Sequence, residues 1–311
     1  MKKEAIRLHD LSCCHDPAAI TTEVGLIAAM LADDFDREGF VAAMEDLRRL
    51  FAGEYPGYRA SNTSYHDLEH TNAVVLATAR LLHGLHLDQG VRFSGAQVLV
   101  ALLAAMFHDA GLIQKVGEPV GSGARHMVGH EERSIALVTA YMRAHGFGEA
   151  AIADCGAVIM ATGLKQSLAE IPCRNATISM LGKVLGSADL LAQMADRAYL
   201  EKLPLLYREF VEAGIDEYGS ELDLIGKTLD FYRVVAKPRL LEELDNVMRV
   251  LRAHFRVRWG VDRNLYAEAI EGNLVYLEKL LAKCGGTYDC FLENLNRGGI
   301  ASRIRTESEG D

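Results

Sequence analysis

Apolar residues recur at helical spacing along almost the whole chain, and that period restricts the fold more than any other feature. Leu26, Ile27, Met30 and Leu31 share one helical face, as do Val74, Val75, Ala77, Leu81 and Leu82, and again Ile135, Leu137, Val138, Tyr141 and Met142. No sustained alternating run rich in β-branched residues competes with it, and the 6 prolines lie mostly near segment boundaries. The expected fold class is all-α, a multi-helix bundle. Helices are expected over 22–33, 37–52, 66–87, 95–108, 127–145, 148–162, 175–195, 197–213, 216–235, 238–258 and 264–284. Between them, 53–62, 111–123, 163–174 and 284–286 carry the breakers of loops. Asn296 to Asp311 is short of apolar residues and rich in Gly, Ser and charge, so the end of the chain, 291–311, is expected to be a disordered tail.

At 311 residues, 50% of them hydrophobic, the chain can bury a large core as one domain or two closely packed halves. Its formal net charge of −10 argues against nucleic-acid polymers and anionic membranes, since both select a basic patch. The longest apolar run, Val98 to Phe107, is far shorter than the roughly 20 residues a bilayer span needs. Met1-Lys2-Lys3-Glu4 lacks the apolar stretch of a signal peptide. The 6 cysteines (Cys13, Cys14, Cys155, Cys173, Cys284 and Cys290) form no CxxC pair, which suits a reducing compartment, and a cytoplasmic location is expected. Cys13-Cys14-His15-Asp16 has metal-ligand types, but neighbouring cysteines in a polar terminal segment are usually incidental.

Three motifs carry chemistry. His66 and His70 are four apart, a spacing that on one helix points both from the same face, and Ser61-Asn62-Thr63-Ser64 ahead of them offers N-caps. The apolar helix Val98 to Phe107 ends in His108-Asp109, where a buried carboxylate is costly unless paired or metal-bound. Adjacent helical residues diverge by about 100°, so both reach one ion only where the helix ends, and Gly111 is expected to supply the break. Asp189 is embedded in the apolar stretch from Val184 to Leu191. Each alone has a plain structural reading: an exposed histidine pair, an acid starting a loop, a core-edge acid satisfied locally. Together, imidazole nitrogen and carboxylate oxygen suit zinc, and carboxylate with water suits magnesium or manganese.

These residues resemble a known family. Tyr65-His66-Asp67-Leu68-Glu69-His70-Thr71-Asn72-Ala73-Val74 is similar to the Tyr-His-Asn-x-x-His-x-x-x-Val signature of the class I cyclic nucleotide phosphodiesterases, with Asp67 in place of Asn. His108-Asp109 matches their HD doublet in wording and interval, and Ile159-Met160-Ala161-Thr162 resembles their Leu-Ala-Thr helix. Ser187-Ala188-Asp189-Leu190 is similar to their Cys-Ala-Asp-Leu element, and Arg208-Glu209-Phe210 with Gly214 and Glu217 to the stretch that follows it. The resemblance covers roughly 58–240 and implies an N-terminal helical segment over 1–57 ahead of an HD-type catalytic domain over 58–290. It implies His70, His108, Asp109 and Asp189 as ligands of a tightly held zinc, with Asp109 bridging to a second ion, magnesium or manganese. The two divalent metals would activate a shared water against a phosphodiester. His66 would act as general acid toward the leaving oxygen, with Glu69 or another acid orienting it.

Some positions depart from that family. The phosphodiesterase histidine expected three residues after the Asp is Leu112, and the wording His108-Asp109-Ala110-Gly111-Leu112 looks more like the wider HD superfamily of phosphohydrolases. That superfamily often adds a downstream histidine, for which His130-Glu131, and less so His126, are candidates as supports of the ligands or of a second ion. Phe231 and Pro238 keep the interval of the family's purine-stacking Phe and a later Pro, but the purine-reading glutamine falls on Thr228, which lacks an amide's paired donor and acceptor. His83, His86, His145 and His254 are expected at the surface or at helix ends. The leading expectation is a cyclic nucleotide phosphodiesterase. The alternatives are an HD phosphohydrolase acting on a nucleoside monophosphate or cyclic dinucleotide, and a non-catalytic metal- or nucleotide-binding module. The expected partners are a small nucleotide or phosphodiester substrate and, as one option, a second copy in a homodimer, with neither nucleic-acid polymer nor membrane.

Overall fold

The computed structural model describes residues 6–11, 14–295 and 297–308. The fold is all-α, with 13 helices and no strand among the described residues. The first half holds α1 (Pro17–Leu31), α2 (Arg37–Ala52), α3 (Leu68–Gln89), α4 (Gly95–Phe107), α5 (His130–Ala144) and α6 (Glu149–Met160). The second holds α7 (Ala176–Ala195), α8 (Tyr199–Glu212), α9 (Glu221–Phe231), α10 (Leu251–Trp259), α11 (Leu265–Cys284), α12 (Tyr288–Asn294) and α13 (Ile300–Ser308). Short polar side chains set many of the starts: Asp16, Asp36, Asp67, Ser94, Asn175, Ser220 and Asn264 each accept a backbone N–H from the first turn they precede.

The helices wrap around α3 and α4. Helix α3 packs on α1, α4, α7 and α10, and α4 on α5 and α6 as well. By length and composition Gly95–Leu112 is apolar enough to cross a membrane, but 89% of it is buried in the fold. Helices α1 and α2 share the same core, with Val24, Ile27, Phe40 and Leu47 wholly buried.

Several expectations need correction. Helix α1 starts at Pro17 rather than 22, because Asp16 caps it and proline suits the first helical position. Helix α3 starts only after His66, with Asp67 as its cap, so His66 and His70 do not lie on one helix. The stretch expected as one helix over 238–258 is broken. It makes a wide turn at Arg239–Glu243, then takes left-handed φ values of 53° and 48° at Asp245 and Asn246 before α10 begins. The cause is Arg239, which donates to the carbonyls of Ala161, Gly163 and Gln166 and so ties this segment to the loop after α6. The expected disordered tail over 291–311 is instead helical in α12 and α13 through 308, and Phe291, Leu292, Leu295, Ile300, Ala301 and Ile304 are buried against the bundle. Cys284 and Cys290 are joined as a disulfide. His83 and His254 are buried, contrary to the surface placement expected, and their Nδ1 atoms meet at 3.0 Å. Cys13 lies outside the described residues; burial pushes the Cys14 thiol up to about 12, which leaves it protonated and a poor metal ligand.

Candidate metal centre

Three elements bring the proposed ligands to one point. His70 comes from the first turn of α3, His108 and Asp109 from the end of α4, and Asp189 from the middle of α7. Asp109 Oδ2 lies 3.1 Å from His108 Nε2 and 3.4 Å from His70 Nε2, and Asp189 Oδ1 lies 3.2 Å from His70 Nε2 and 3.7 Å from His108 Nε2. His70, His108 and Asp109 each offer a ligand atom within 4.8 Å of the others, and all three residues are buried. The other oxygen of Asp109, Oδ1, faces His130 Nε2 at 3.3 Å. Asp109 thus presents one oxygen to the His70–His108 side and one to the His130 side.

The donor set fits a cation. His108 Nδ1 sits 2.8 Å from the Ala105 carbonyl and His130 Nδ1 sits 2.7 Å from the Met127 carbonyl. A carbonyl only accepts, so both Nδ1 atoms carry their protons and both Nε2 lone pairs face carboxylate oxygen. His108 Nε2 is buried with no hydrogen-bond partner among the described residues. Lone pair against carboxylate is repulsive unless a second proton or a metal ion lies between them. With protons there, burial opposes charge on every group but the ion pairs outweigh it: His70 and His130 are pushed up to about 9, His108 well above its ordinary value, and Asp109 and Asp189 well below the carboxylate range. A divalent cation would take the place of those protons.

The corner after Asp109 is built by close packing. Ala110, Gly111 and Leu112 form one tight turn, and Gly111 is not in the left-handed region that its expected role as a helix stop implied. A Cβ at Gly111 would lie 2.1 Å from the His130 carbonyl and 2.7 Å from the Ser134 nitrogen, so its small size lets α5 approach. Ser134 Oγ donates to the His108 carbonyl at 2.5 Å and accepts from the Gly111 nitrogen at 2.8 Å. Leu112 is buried in this corner.

His66 stands just ahead of α3. Its carbonyl accepts from Thr63 Oγ1 at 2.6 Å, and its Nδ1 meets Glu209 Oε2 at 2.6 Å. Glu209, buried on α8, also accepts from the Tyr65 nitrogen at 2.6 Å through Oε1. A carboxylate that only accepts puts the proton on Nδ1 and leaves Nε2 as the acceptor of the neutral ring. The orienting acid is therefore Glu209 and not Glu69, which lines a different cavity. Glu209 escaped sequence reasoning as a partner of His66; only its place in the Arg208-Glu209-Phe210 stretch pointed to it.

A cavity of about 480 Å³ opens onto this site. His66, Asp109, Asp189, His130 and Glu131 line one part of it, and Leu206, Phe210, Tyr218, Leu224, Thr228 and Phe231 form an apolar arm. Glu131 Oε2 lies 3.3 Å from His130 Nδ1. The Thr228 hydroxyl donates to the Leu224 carbonyl at 2.8 Å, so it has no proton left for a ligand. His126 stands away from Asp109 and faces Glu118 at 3.8 Å. No family model matches the chain, and the search of curated proteins returned no match.

Proposed function

We propose that the protein is a metal-dependent phosphohydrolase that cleaves a small nucleotide phosphodiester, with a 3′,5′-cyclic nucleotide as the leading substrate class. The observation that carries this reading is the juxtaposition of a four-residue His/Asp centre with a separate His66–Glu209 pair at one cavity. His70, His108, Asp109 and Asp189 would hold a tight ion, zinc, and Asp109 Oδ1 with His130 would face a second, magnesium or manganese. Bound there, divalent ions supply the positive charge that makes water nucleophilic near neutral pH and neutralises phosphoryl oxygen.

The rest of the chemistry belongs to the chain. Glu209 fixes the His66 ring so that Nε2 addresses the cavity, where it delivers a proton to the departing ester oxygen. The apolar arm takes a flat base between Phe231 and its neighbours and keeps bulk water from that half of the cavity. Base reading at Thr228 is lost, which favours the second reading of an HD phosphohydrolase acting on another nucleotide; the amides that do line the cavity are Gln166 and Gln193. A binding module without chemistry has no use for the His66–Glu209 pair.

Metal analysis comes first. The purified protein should hold at least one equivalent of transition metal, and Asp109→Ala should hold none. The loaded protein is then assayed against an aryl phosphodiester, 3′,5′-cyclic nucleotides and mononucleotides. Turnover of cyclic nucleotides supports the leading reading, and turnover of mononucleotides alone moves the assignment to the second. Loaded protein that hydrolyses none of them refutes both.

A further inference from the structure

A second cavity of about 510 Å³ is lined by Glu69, His70 and Ala73 of α3 and by residues of α7 and α8, so it touches the back of the His70 ring. Three residues, Tyr65, Gln193 and Tyr199, line both cavities and form the partition between them. Its outer wall is made by Leu8, His9, Cys14 and His15 near the start of the described residues and by Arg297–Gly298 near their end. Buried side chains of the bundle hold that wall in place. Arg80 donates to the Leu11 carbonyl at 2.6 Å and Asn72 to the Cys14 carbonyl at 3.0 Å, while Glu201 accepts the backbone N–H groups of Arg297, Gly298 and Ile300. Specific hydrogen bonds thus hold the outer wall of the cavity.

The chemistry facing it is distinct. Tyr65 and Tyr199 are 4% and 2% exposed, and neither hydroxyl makes a hydrogen bond among the described residues. The Glu69 carboxylate likewise has no hydrogen bond or ion pair among them. Lys202 is buried and held by Asp196 at 2.7 Å, with Asp67 and Glu69 near enough to act on its charge. Asp196 and Lys202 offset each other, which leaves the Glu69 carboxylate as the unpaired charge on the inner wall among the described residues. Of the cations at the rim, Arg197 is exposed, and Arg297 stacks its guanidinium on Tyr276 at 4.4 Å. His9 and His15 complete the rim. A phosphate at the inner wall would meet the Glu69 carboxylate, whereas a flat uncharged ring with N–H donors would find there an open carboxylate, two phenol hydroxyls, an amide and aromatic walls.

We propose that this second cavity binds a nucleoside, its base edge donating to Glu69 and its ring lying among Tyr65, Tyr199 and Tyr266. Occupancy would press on the partition, where the Tyr65 nitrogen is bonded to the same Glu209 that orients His66. Binding itself does not depend on the proposed catalysis.

The test is titration calorimetry on the full-length, metal-loaded chain with guanosine, adenosine and cytidine, each against its 5′-monophosphate. At least one nucleoside should bind one to one, at least tenfold tighter than its monophosphate. Glu69→Gln should weaken it at least tenfold, Ala73→Leu, which fills this cavity alone, should abolish it, and Thr228→Trp, which fills the other cavity, should leave it intact. Absence of nucleoside binding, tighter binding of the monophosphate, or loss of binding in Thr228→Trp but not in Glu69→Gln each overturns the proposal. Because the readout is heat of binding, a chain that hydrolyses nothing can still pass, and one that hydrolyses cyclic nucleotides can still fail.

Discussion

His66 and His70 are one turn of sequence apart yet face different partners, and the reason is Asp67. By capping α3 it keeps His66 off the helix and turns Glu69 away from it, toward the second cavity. The four metal-type residues were legible because their chemistry is unusual where it stands, in apolar helices. Glu209 was not, since it reaches His66 across 143 residues of sequence and only the packing of α8 brings it there. His66→Ala should retain bound metal while kcat for a substrate with a poor leaving group falls by roughly 10²–10⁴, with a much smaller loss for an aryl ester that leaves without a proton. Glu209→Gln should give an intermediate loss, since an amide oxygen can still accept from Nδ1 but holds the ring by a weaker, uncharged hydrogen bond. Metal lost from His66→Ala would show instead that His66 is a ligand.

Between elements, the clearest surprise is the contact of α3 with α10. Helical periodicity located both helices, but it could not reveal that His83 and His254 meet in the core, because a histidine on an apolar face reads the same whether it is capped by solvent or by another ring. Only one proton can lie between Nδ1 atoms 3.0 Å apart, and burial disfavours charge on either ring, so the pair is packed as neutral imidazoles. Burial, with the charges of His86 and Arg258, lowers His83 from 6.5 to about 4, and burial first, then Arg80, pushes His254 well below its ordinary value. The unfolded chain takes up these protons below its ordinary histidine pKa, whereas the folded chain does not. Stability from this pair is therefore undiminished above about pH 7 and falls as the pH drops from 6.5 toward 4, by up to roughly 3 kcal/mol for His83 alone. Replacing both by leucine removes donor and acceptor together and leaves neither stranded. Urea denaturation across pH 7 to 4.5 should show a flatter loss of stability in His83→Leu/His254→Leu than in the wild type. Parallel curves would mean that the pair stays hydrated and titrates normally in the fold.

At the scale of the whole molecule, the end of the chain closes the bundle. Composition made 291–311 look like a tail because its few apolar residues are scattered among charges and glycines. What it could not display is a receptor for backbone: Glu201 on α8, 2% exposed, takes the N–H groups of Arg297, Gly298 and Ile300 and thereby fixes the entry into α13. The same carboxylate positions the Arg297–Gly298 wall of the second cavity. Glu201→Ala leaves three N–H groups without their acceptor, and with partial rescue by water the cost should be roughly 2–4 kcal/mol. Guanidinium denaturation should show that loss together with faster tryptic cleavage after Arg297, and truncation after Leu295 should lower the midpoint by a similar amount. If the truncated chain unfolds at the wild-type midpoint, 297–308 is an appendage, and the packing of Ile300, Ala301 and Ile304 against the bundle contributes nothing to the folded state.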